Sequence, residues 1–507
     1  MKVLLANPVC RHPVGKGREV FTIRSGSGWP HTYEQPEGQP AGYLPFPLYL
    51  AHAAGVLEKE PGVEVLVRDS IALNEFERDF MNFCREEKPD LILWEPATVT
   101  MNDDIRLAKE LKALLPGVKL VFCGFHVSGL TRETAELAGD LVEFYLLGEF
   151  EMNLLTLVRA LIDNTPLDAV PGLARRVNGE LLINSTVKPM DFANMPWAAR
   201  HLFPTNKAPN PTIYWDGFIS KKPAAMMHAS RGCAYKCDFC AEIALIELKY
   251  RMRTPKDIVD EIEHLVERDK IREVYFDDNI FTASRKQVLG ICDELIRRGL
   301  HKRVNWSAMV AFMGPTDEAL LTRMSESGCI GVKFGIDSAD EAVLKEIGKP
   351  LDLERVRRLC KHCNKLGMKV HATLAMGHFA DTKATLRKSL DYAKSLDCDT
   401  VQFSIVTPFP GTPLFEKLLK ADRLKSTDWR HFDGLQESVI KFPDMDAKYV
   451  SDFCHNSVQE WTRHKLRDPY WVYRQFRFFL RSFASNPSLL PLRAKQVWNT
   501  LAPAPAT

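Results

Sequence analysis

The sequence predicts an α/β protein with two successive sheets, because apolar strands alternate with amphipathic helices in two separate parts of the chain. The chain has 507 residues, which exceeds one ordinary core, since a domain averages roughly 150 residues. In residues 1–165 the alternation is typical of a doubly wound parallel sheet. The apolar strands predicted there are Val3 to Ala6, Val63 to Val67, Leu91 to Trp94, Lys119 to Cys123 and Phe144 to Leu147.

The same alternation resumes at Ala224 and continues to about residue 425. Six repeats of a strand followed by a helix indicate a second set of parallel strands, whose carboxyl ends would share one edge. The predicted strands are Ala224 to His228, Glu273 to Phe276, Val304 to Ala308, Gly331 to Ile336, Val370 to Met376 and Val401 to Val406.

Three other segments lack this alternation. Residues 166–222 are rich in Pro, Asn and Trp with little periodicity, so we expect a linker. Residues 10–47 are rich in Gly and Pro, and no regular element explains them; they either fold over an active site or run along the surface. Residues 426–507 are helical, basic and aromatic, and we expect a separate helical domain there.

The composition excludes several function classes. A formal net charge of +2 with no long basic block argues against nucleic-acid binding. No apolar stretch reaches the roughly 18 residues that cross a bilayer, and the first residues predict a strand rather than a signal peptide. Twelve cysteines without such a signal indicate a reducing compartment, so we expect a cytoplasmic protein.

The most informative motif is a cysteine triplet in Ser230-Arg-Gly-Cys-Ala-Tyr-Lys-Cys-Asp-Phe-Cys. Cys233, Cys237 and Cys240 could hold three irons of a 4Fe-4S cluster and leave the fourth iron open to a substrate or cofactor. A zinc site is the competing interpretation, but structural zinc needs a fourth ligand, and no Cys or His pair follows soon after Cys240. Among the other nine cysteines, Cys360 and Cys363 form a C-x2-C pair, but they lie in a predicted helical stretch, Leu353 to Leu366, where such a pair is more often packing than ligation.

This triplet resembles the signature of the radical S-adenosylmethionine (SAM) superfamily. The resemblance implies that the open iron chelates SAM, that Phe239 packs beside the adenine, and that residues 223–425 form a partial (β/α)6 barrel. It also implies that Asp277 and Asp278 hold the methionine ammonium, that Asp337 contacts the ribose, and that Gly377 lies in the SAM cradle. The alternative for Asp277 and Asp278 is capping of the following helix.

Two motifs of the first sheet resemble the cobalamin-binding domain that precedes many radical SAM cores: Phe122-Cys-Gly-Phe-His and Leu147-Gly-Glu-Phe-Glu. The resemblance implies cobalamin contacts from Gly124, His126, Gly148 and Glu149. The loop at Asp69-Ser-Ile-Ala-Leu-Asn lacks the cobalt-binding histidine of Asp-x-His-x-x-Gly, so we expect no histidine beneath the cobalt. The alternatives are a Rossmann-like domain that binds nothing, and a His126 that only forms hydrogen bonds.

The resemblance as a whole implies a cobalamin-dependent radical SAM enzyme that abstracts hydrogen from an unactivated carbon, with C-methylation as the first expectation. The alternatives are an oxidative cyclase or ring-rearranging enzyme acting on a lipid or tetrapyrrole and, from another class, an iron–sulfur sensor. A methylthio-transferring enzyme would need a second cysteine triplet, and the cysteines of the first 165 residues are scattered. The partners expected are a small-molecule or lipid substrate and an electron donor such as flavodoxin or ferredoxin.

Residues 470–483 predict an amphipathic helix. Arg474, Arg477 and Arg481 recur at helical spacing on one face, and the opposite face carries apolar side chains: Val472, Phe476, Phe479, Leu480 and Phe483. We expect the apolar face to pack on the second sheet domain. The alternative is peripheral membrane contact, with arginines toward the headgroups.

Overall fold

The structure is a computed structural model, and it describes residues 1–24, 31–40, 43–184, 191–205, 214, 216–245 and 249–485. Its strands are β1 (Lys2–Asn7), β2 (Cys10–Gly15), β3 (Arg18–Ile23), β4 (His31–Pro36), β5 (Glu64–Asp69), β6 (Leu91–Trp94), β7 (Lys119–Cys123), β8 (Phe144–Leu146), β9 (Leu173–Val177), β10 (Glu180–Ile183), β11 (Ala224–Met227), β12 (Ser230–Arg231), β13 (Arg251–Met252), β14 (Glu273–Phe276), β15 (Asn305–Met309), β16 (Cys329–Asp337), β17 (Lys369–Met376) and β18 (Thr400–Ile405).

Helices follow most of these strands. They are α1 (Leu48–Leu57), α2 (Glu77–Glu87), α3 (Met101–Leu114), α4 (Phe125–Gly129), α5 (Thr131–Ala138), α6 (Glu151–Asp163), α7 (Glu242–Leu245), α8 (Pro255–Arg268), α9 (Arg285–Arg297), α10 (Glu318–Glu326), α11 (Glu341–Glu346), α12 (Leu353–Lys365), α13 (Lys383–Ser395), α14 (Pro413–Lys420), α15 (Ala447–Lys465) and α16 (Pro469–Ser485).

The chain forms two compact units. The first unit comprises Met1–Asp216, Arg231–Met252 and Thr407–Leu435, so it contains the cysteine triplet. The second unit comprises Gly217–Ser230, Arg253–Val406 and Gln436–Thr507.

The first unit is built on a seven-stranded sheet in the order β10-β9-β8-β7-β6-β1-β5. From β5 to β8 the neighbouring strands are parallel, with Val3 opposite both Val65 and Leu91. These strands are apolar because helices cover both faces of such a sheet. Trp94 and Phe122 are fully buried and pack edge to face at 4.7 Å between ring centroids. All five strands predicted for residues 1–165 are present within two residues of their predicted bounds.

The expectation of a linker without regular structure in residues 166–222 is wrong in part. Strands β9 and β10 form an antiparallel hairpin that extends the first sheet beyond β8. Its turn is Asn178-Gly179, and both residues have positive φ, at 52° and 86°. Asn-Gly is the strongest short hairpin signal, and it could have identified this element from the sequence.

Residues 10–47 also contain regular structure that the sequence analysis missed. Strands β2, β3 and β4 form a three-stranded antiparallel sheet, with Phe21 of β3 opposite Arg11 and Tyr33. Lys16 and Gly17 turn the chain between β2 and β3 with positive φ. Residues 25–30, from the glycine-rich part of this segment, lie outside the described residues.

The second unit is built on a six-stranded parallel sheet in the sequential order β11-β14-β15-β16-β17-β18. A helix joins each strand to the next, which is the connection that parallel neighbours require. One continuous apolar core runs under the sheet and includes the stacked rings of Phe276 and Phe281, at 4.6 Å, beside Trp306. The six strands predicted from Ala224 onward are all present within two residues of their bounds.

The last two helices pack on the second unit in different ways. Helix α15 buries apolar side chains such as Val450 and Trp461 in the core. In α16, Arg474 is 6% exposed and binds Asp399 through Nε at 2.9 Å and Nη2 at 2.7 Å. Val472, Phe476 and Leu480 are 41%, 57% and 45% exposed.

The expectation that α16 packs by its apolar face is therefore wrong. Arg474 can be buried because its guanidinium donates to the Asp399 carboxylate and also to the Met368 carbonyl, at 3.0 Å. The side chains of Phe479, Arg481 and Phe483, also named for this helix, lie outside the described residues. Within the described ranges, no helix combines the length and the apolar character needed to cross a membrane.

Candidate active site

The cysteine loop connects Arg231, at the end of β12, with α7. Cys233, Cys237 and Cys240 are partly exposed, whereas the other nine cysteines are buried. The loop is ordered by its own backbone: Tyr235 N–H donates to Cys233 Sγ at 3.4 Å, and Cys240 N–H donates to the Cys237 carbonyl at 3.1 Å. Three partly exposed cysteines on one short loop fit the donor set of an iron–sulfur cluster.

Phe239 lies in the same loop and is partly buried. The preceding residue, Asp238, accepts a hydrogen bond at its carbonyl from Leu414 N–H at 2.9 Å. This bond attaches the loop to the start of α14, within the first unit.

Arginines and glutamates form a buried ionic network next to this loop, within the first unit. Arg231 contacts Glu151 at 2.6 Å and Glu149 at 3.6 Å, and Arg251 contacts Glu149 at 2.5 Å. The side chains of Arg231 and Glu151 are at most 1% exposed. Because water does not reach them, each charge is stabilised mainly by the other. Glu149 was predicted from its motif, but its partners Arg231 and Arg251 were not.

The carboxyl ends of β7 and β8 carry the two predicted glycines. Gly124 follows β7 with φ +94°, and a Cβ there would lie 3.4 Å from the Glu95 side chain. Gly148 follows β8 with φ +69°, and its N–H donates to Ser128 Oγ at 3.0 Å. Both turns need the positive φ that glycine adopts without strain.

Glu95 begins one of the strand-end loops but was not among the site residues predicted from the sequence. It follows β6 directly, and the loss of water around its carboxyl group, together with repulsion from Glu151, raises its pKa to about 8. A carboxyl group that is neutral near pH 7 is an unusual feature at the end of a parallel strand. Its position after a buried apolar strand is the signal that could have identified it.

His126 is buried, with 2% exposure. Its Nδ1 lies 3.2 Å from Thr98 Oγ1, and its ring meets Trp429 edge to face at 5.3 Å. Burial lowers its pKa to about 4, so the imidazole is neutral near pH 7. These contacts favour His126 as a hydrogen-bonding residue.

Asp69, at the start of the loop without the cobalt-binding histidine, is satisfied by local donors. Its carboxylate accepts hydrogen bonds from Tyr214 Oη at 2.7 Å, Asn7 Nδ2 at 2.9 Å and the Ala72 amide at 3.1 Å. Burial raises its pKa to about 6. The carboxylate attaches the loop to β1. Its hydrogen bonds are all made to groups of the protein itself.

In the second unit, the structure separates the roles of the two adjacent aspartates after β14. Asp277 is partly exposed, and its N–H donates to the Met227 carbonyl at 3.0 Å. Asp278 is buried and accepts hydrogen bonds from Ala229 N–H at 2.8 Å and from the Ser230 hydroxyl. Burial raises the pKa of Asp278 to about 7.

Asp278 therefore fixes the chain that leads into the cysteine loop. The alternative that these aspartates cap the next helix is wrong, because Ser284 caps α9 through a hydrogen bond from Gln287 N–H.

Asp337 and Gly377 end neighbouring strands of the second sheet. Asp337 has φ +65°, and its carboxylate pairs with the ammonium of Lys349. Gly377 has φ +94°, and a Cβ there would lie 2.8 Å from Val450 Cγ1. Asp381 accepts hydrogen bonds from the amides of Gly377 and His378, at 3.0 and 2.8 Å. Neither Lys349 nor Asp381 was predicted as a site residue from the sequence.

Comparisons with known proteins agree with the cysteine motif. The model of the radical SAM superfamily matches residues 227–393. An uncharacterized methyltransferase of Pyrococcus horikoshii is 27% identical over 407 residues, which cover 80% of this chain and 85% of that protein. An anaerobic magnesium-protoporphyrin IX monomethyl ester cyclase of Cereibacter sphaeroides is 25% identical to this chain. The alignment covers 78% of this chain and 63% of the cyclase.

Solved structures with the same fold are cobalamin-dependent radical SAM enzymes. The methyltransferase TsrM from Kitasatospora setae, with cobalamin and a [4Fe-4S] cluster bound, has a TM-score of 0.63 at 18% identity. The alignment covers 89% of this chain and 84% of the TsrM chain. The radical enzyme OxsB, with aqua-cobalamin and SAM bound, has a TM-score of 0.69 at 13% identity. The alignment covers 95% of this chain and 72% of the OxsB chain. The predictions of an α/β fold with a radical SAM domain, and of an enzyme, are confirmed, and these matches support the three expected cofactors.

Proposed function

We propose that this radical SAM enzyme binds a [4Fe-4S] cluster, SAM and cobalamin, and that it methylates an unactivated carbon of a small molecule or lipid. The observation that carries the proposal is the cysteine loop, because Cys233, Cys237 and Cys240 are partly exposed while the other nine cysteines are buried. The chemistry that these cofactors supply when bound is reductive cleavage of SAM, hydrogen abstraction by the resulting 5'-deoxyadenosyl radical and delivery of a methyl group.

In this proposal the residues of the second unit have distinct tasks. Asp277, which is partly exposed, binds the methionine ammonium, a cation that a carboxylate suits. Asp278 positions Ala229 and Ser230, because its oxygens already accept hydrogen bonds from both. Asp337 contacts the ribose only as part of its pair with Lys349. Gly377 forms the turn after β17 with a positive φ, and this turn brings the backbone of the strand end to SAM.

The cobalamin part of the proposal concerns the carboxyl ends of the first sheet, where ligands of doubly wound folds bind. We assign Gly124, Gly148, His126 and Glu149 to this site. Neutral His126, already placed against Thr98 and Trp429, is a hydrogen-bonding residue there and not a cobalt ligand. In the same proposal the first sheet is a Rossmann-like domain and the second a partial (β/α)6 barrel, with functional segments 1–165, 166–222, 223–425 and 426–507.

Methylation is favoured over other radical reactions because a relative named as a methyltransferase aligns over most of both chains. The second candidate is oxidative ring closure, favoured by the cyclase of Cereibacter sphaeroides. Both reactions share the first radical step and differ in product. An electron donor such as flavodoxin or ferredoxin completes the proposal, since the cluster needs a one-electron reductant in a reducing, cytoplasmic setting.

The test is anaerobic reconstitution with iron, sulfide and hydroxocobalamin, followed by absorbance spectroscopy and a 5'-deoxyadenosine assay with SAM and dithionite. We expect an iron–sulfur absorption band, bound corrinoid and deoxyadenosine. Cys237→Ala should abolish both the band and the product. The matched control, Cys292→Ala, changes a buried cysteine and should retain them.

Three outcomes would change the proposal. A cluster without deoxyadenosine would favour the iron–sulfur sensor. Deoxyadenosine without bound corrinoid would favour rearrangement or ring formation. With trideuteromethyl SAM and a candidate substrate, a product 17 mass units heavier would establish methylation, since CD3 replaces hydrogen, whereas loss of hydrogen without added mass would establish cyclisation.

We also propose that α16 contacts a membrane surface. Val472, Tyr473, Phe476 and Leu480 are exposed, with Arg477 beside them, which is the composition of an interfacial helix. Flotation with vesicles of anionic lipid should recover the parent chain and lose the double variant Phe476→Ser/Leu480→Ser. Leu419→Ser is the control, because Leu419 is as exposed as Leu480, at 47% and 45%. Equal recovery of all three proteins would refute the contact.

A further inference from the structure

Three side chains from the amino-terminal part of the first unit converge on one point. Cys10 Sγ lies 3.5 Å from His12 Nε2 and 3.7 Å from Asp103 Oδ2, and His12 Nε2 lies 3.0 Å from the same Asp103 oxygen. One sulfur, one nitrogen and one oxygen thus form a small triangle. These residues belong neither to the cysteine loop nor to the strand ends described above.

The triangle has the size of one face of a zinc coordination tetrahedron. With Zn–S near about 2.3 Å and Zn–N and Zn–O near about 2.0 to 2.1 Å, tetrahedral geometry places the donor atoms roughly 3.3 to 3.6 Å apart. The observed separations of 3.0, 3.5 and 3.7 Å bracket that range. A cation at the centre would need little movement of the three side chains.

A catalytic relay explains the arrangement less well. In a Cys-His-Asp relay the imidazole uses one nitrogen toward the thiol and the other toward the carboxylate. Here the same atom, His12 Nε2, is the one near both Cys10 and Asp103. In a metal site, by contrast, the ligand atoms converge on one position, as these three atoms do.

The fold fixes each donor independently. Cys10 and His12 are two residues apart on β2, so their side chains share one face of the strand. Asp103 lies in the first turn of α3, and the next residue, Asp104, is held by Arg24, Thr100 Oγ1 and Trp94 Nε1. The helix start is therefore anchored before any metal binds.

The site is buried on the Cys10 side and open to solvent on the His12 side, so one coordination position is accessible to water. Cys10 is 5% exposed, whereas the side chains of His12 and Asp103 are 49% and 18% exposed. Solvent reaches the imidazole side, so a water molecule can complete four ligands.

We propose that Cys10, His12 and Asp103 bind one divalent cation of the zinc class, with water as the fourth ligand, and that the cation ties β2 to α3. A Cys, His and carboxylate set suits Zn²⁺, because thiolate and imidazole select it over Mg²⁺ and Ca²⁺. The site is separate from the proposed radical chemistry, so either proposal can fail without the other.

The first test is equilibrium dialysis of the cluster-reconstituted full chain against Zn²⁺, with zinc and iron measured together by mass spectrometry. The cluster occupies the accessible cysteines, so their thiols do not compete. We expect one zinc per chain, and at least tenfold weaker binding in Asp103→Asn and in Cys10→Ser. Asp103 is at the surface end of a helix, so its variant tests the site even where Cys10→Ser does not fold.

The matched controls remove the same chemical groups elsewhere. His201→Gln is the control for His12→Gln, because the two imidazoles are 48% and 49% exposed and each lies near a carboxylate. Glu110→Gln removes another carboxylate from α3. Both controls should bind zinc as the parent does. Zinc binding that is equally strong in the three ligand variants, or no zinc above that of a dialysed blank, would overturn the proposal.

A second measurement identifies the donors. In a full chain with Cys233, Cys237 and Cys240 replaced by alanine, Co²⁺ should give a near-ultraviolet thiolate-to-metal band and the visible bands of a tetrahedral ion. Cys10→Ser in that background should remove the ultraviolet band. A cobalt spectrum without thiolate character in the unsubstituted Cys10 background would exclude Cys10 as a ligand.

Discussion

The two strand-end regions of this protein fix their carboxylates by different means. In the first unit, Glu149 and Glu151 are held by the guanidinium groups of Arg231 and Arg251. In the second unit, Asp278 and Asp381 accept hydrogen bonds from backbone amides and hydroxyl groups. Two carboxylates are exceptions: Asp69 of the first region accepts hydrogen bonds from neutral donors only, and Asp337 of the second region pairs with Lys349.

The difference determines how each region should respond to mutation and to pH. A buried ion pair leaves an uncompensated charge when one partner is removed. A carboxylate held by neutral donors can instead take up a proton, and its environment tolerates an amide of the same shape. The Arg231–Glu151 pair of the first region should therefore be sensitive to loss of a charge. Carboxyl groups whose pKa is raised by burial, Glu95 in the first region and Asp278 in the second, should respond to pH.

The largest effect is expected from Arg231→Met, which leaves Glu151 buried without its cation. The expected loss is about 3 to 5 kcal/mol in the free energy of unfolding of the first unit. Arg106→Met is the control, because Arg106 is 46% exposed and its ion pairs contribute about 0 to 1 kcal/mol. Urea unfolding followed by circular dichroism checks both.

Adding Glu151→Gln to Arg231→Met sharpens this prediction. Removing the stranded carboxylate should recover part of the lost stability. If the double variant is as unstable as Arg231→Met, lost packing of the Arg231 side chain over Tyr49 and Phe192 is the cause instead of charge.

A smaller effect is expected from alanine at two glycines with the same φ angle. Gly124 and Gly377 both have φ +94°, but a Cβ would lie 3.4 Å from Glu95 at the first position and 2.8 Å from Val450 at the second. Gly124→Ala should cost about 1 to 3 kcal/mol of backbone strain, because φ +94° with ψ −168° is a conformation that essentially only glycine adopts. Gly377→Ala should cost about 1 to 3 kcal/mol more, because overpacking is added.

Thermal unfolding of the two alanine variants measures that difference. Val450→Ala removes the methyl groups nearest to Gly377. In that background, Gly377→Ala should therefore lower the melting temperature less than it does in the parent. Equal losses at Gly124 and Gly377 would mean that α15 yields to the added methyl group.

The third effect is a pH dependence. Glu95 and Asp278 have folded-state pKa values of about 8 and about 7, raised first by burial, so the folded state binds the extra proton. Their contribution is present at low pH and is lost as the pH rises through those values. Relative to the parent, Glu95→Gln and Asp278→Asn should therefore gain melting temperature between pH 5 and pH 8.5.

Comparing each variant with the parent isolates one group, since Glu273 and Asp69 titrate in the same range. The gain for Asp278→Asn should be complete at lower pH than that for Glu95→Gln. Glu294→Gln is the control, because hydrogen bonding to Arg297 lowers the pKa of Glu294 to about 2. A flat difference for Asp278→Asn would show that its carboxylate stays ionised throughout.

Sequence patterns predicted the parallel strands well because their signal is local. Leu91–Trp94 and Glu273–Phe276 are short, apolar and followed by polar turns, and the structure has them at the predicted bounds. The β9–β10 hairpin was missed although its Asn178-Gly179 turn is a local signal as well. The α16 helix was predicted, but the face that packs was not, because burial of Arg474 depends on Asp399, 75 residues away.

The sequence by itself determined the parallel strands and the cysteine loop, since strand periodicity and ligand spacing depend on residues close in the chain. Tertiary structure alone decided which polar groups meet: Asp278 with Ser230, Glu151 with Arg231, and Asp103 with Cys10 and His12. These pairs lie between 48 and 93 residues apart, and only the folded sheets bring them within hydrogen-bonding distance. Charge, burial and shared ligand atoms arise from that proximity, which no local pattern encodes.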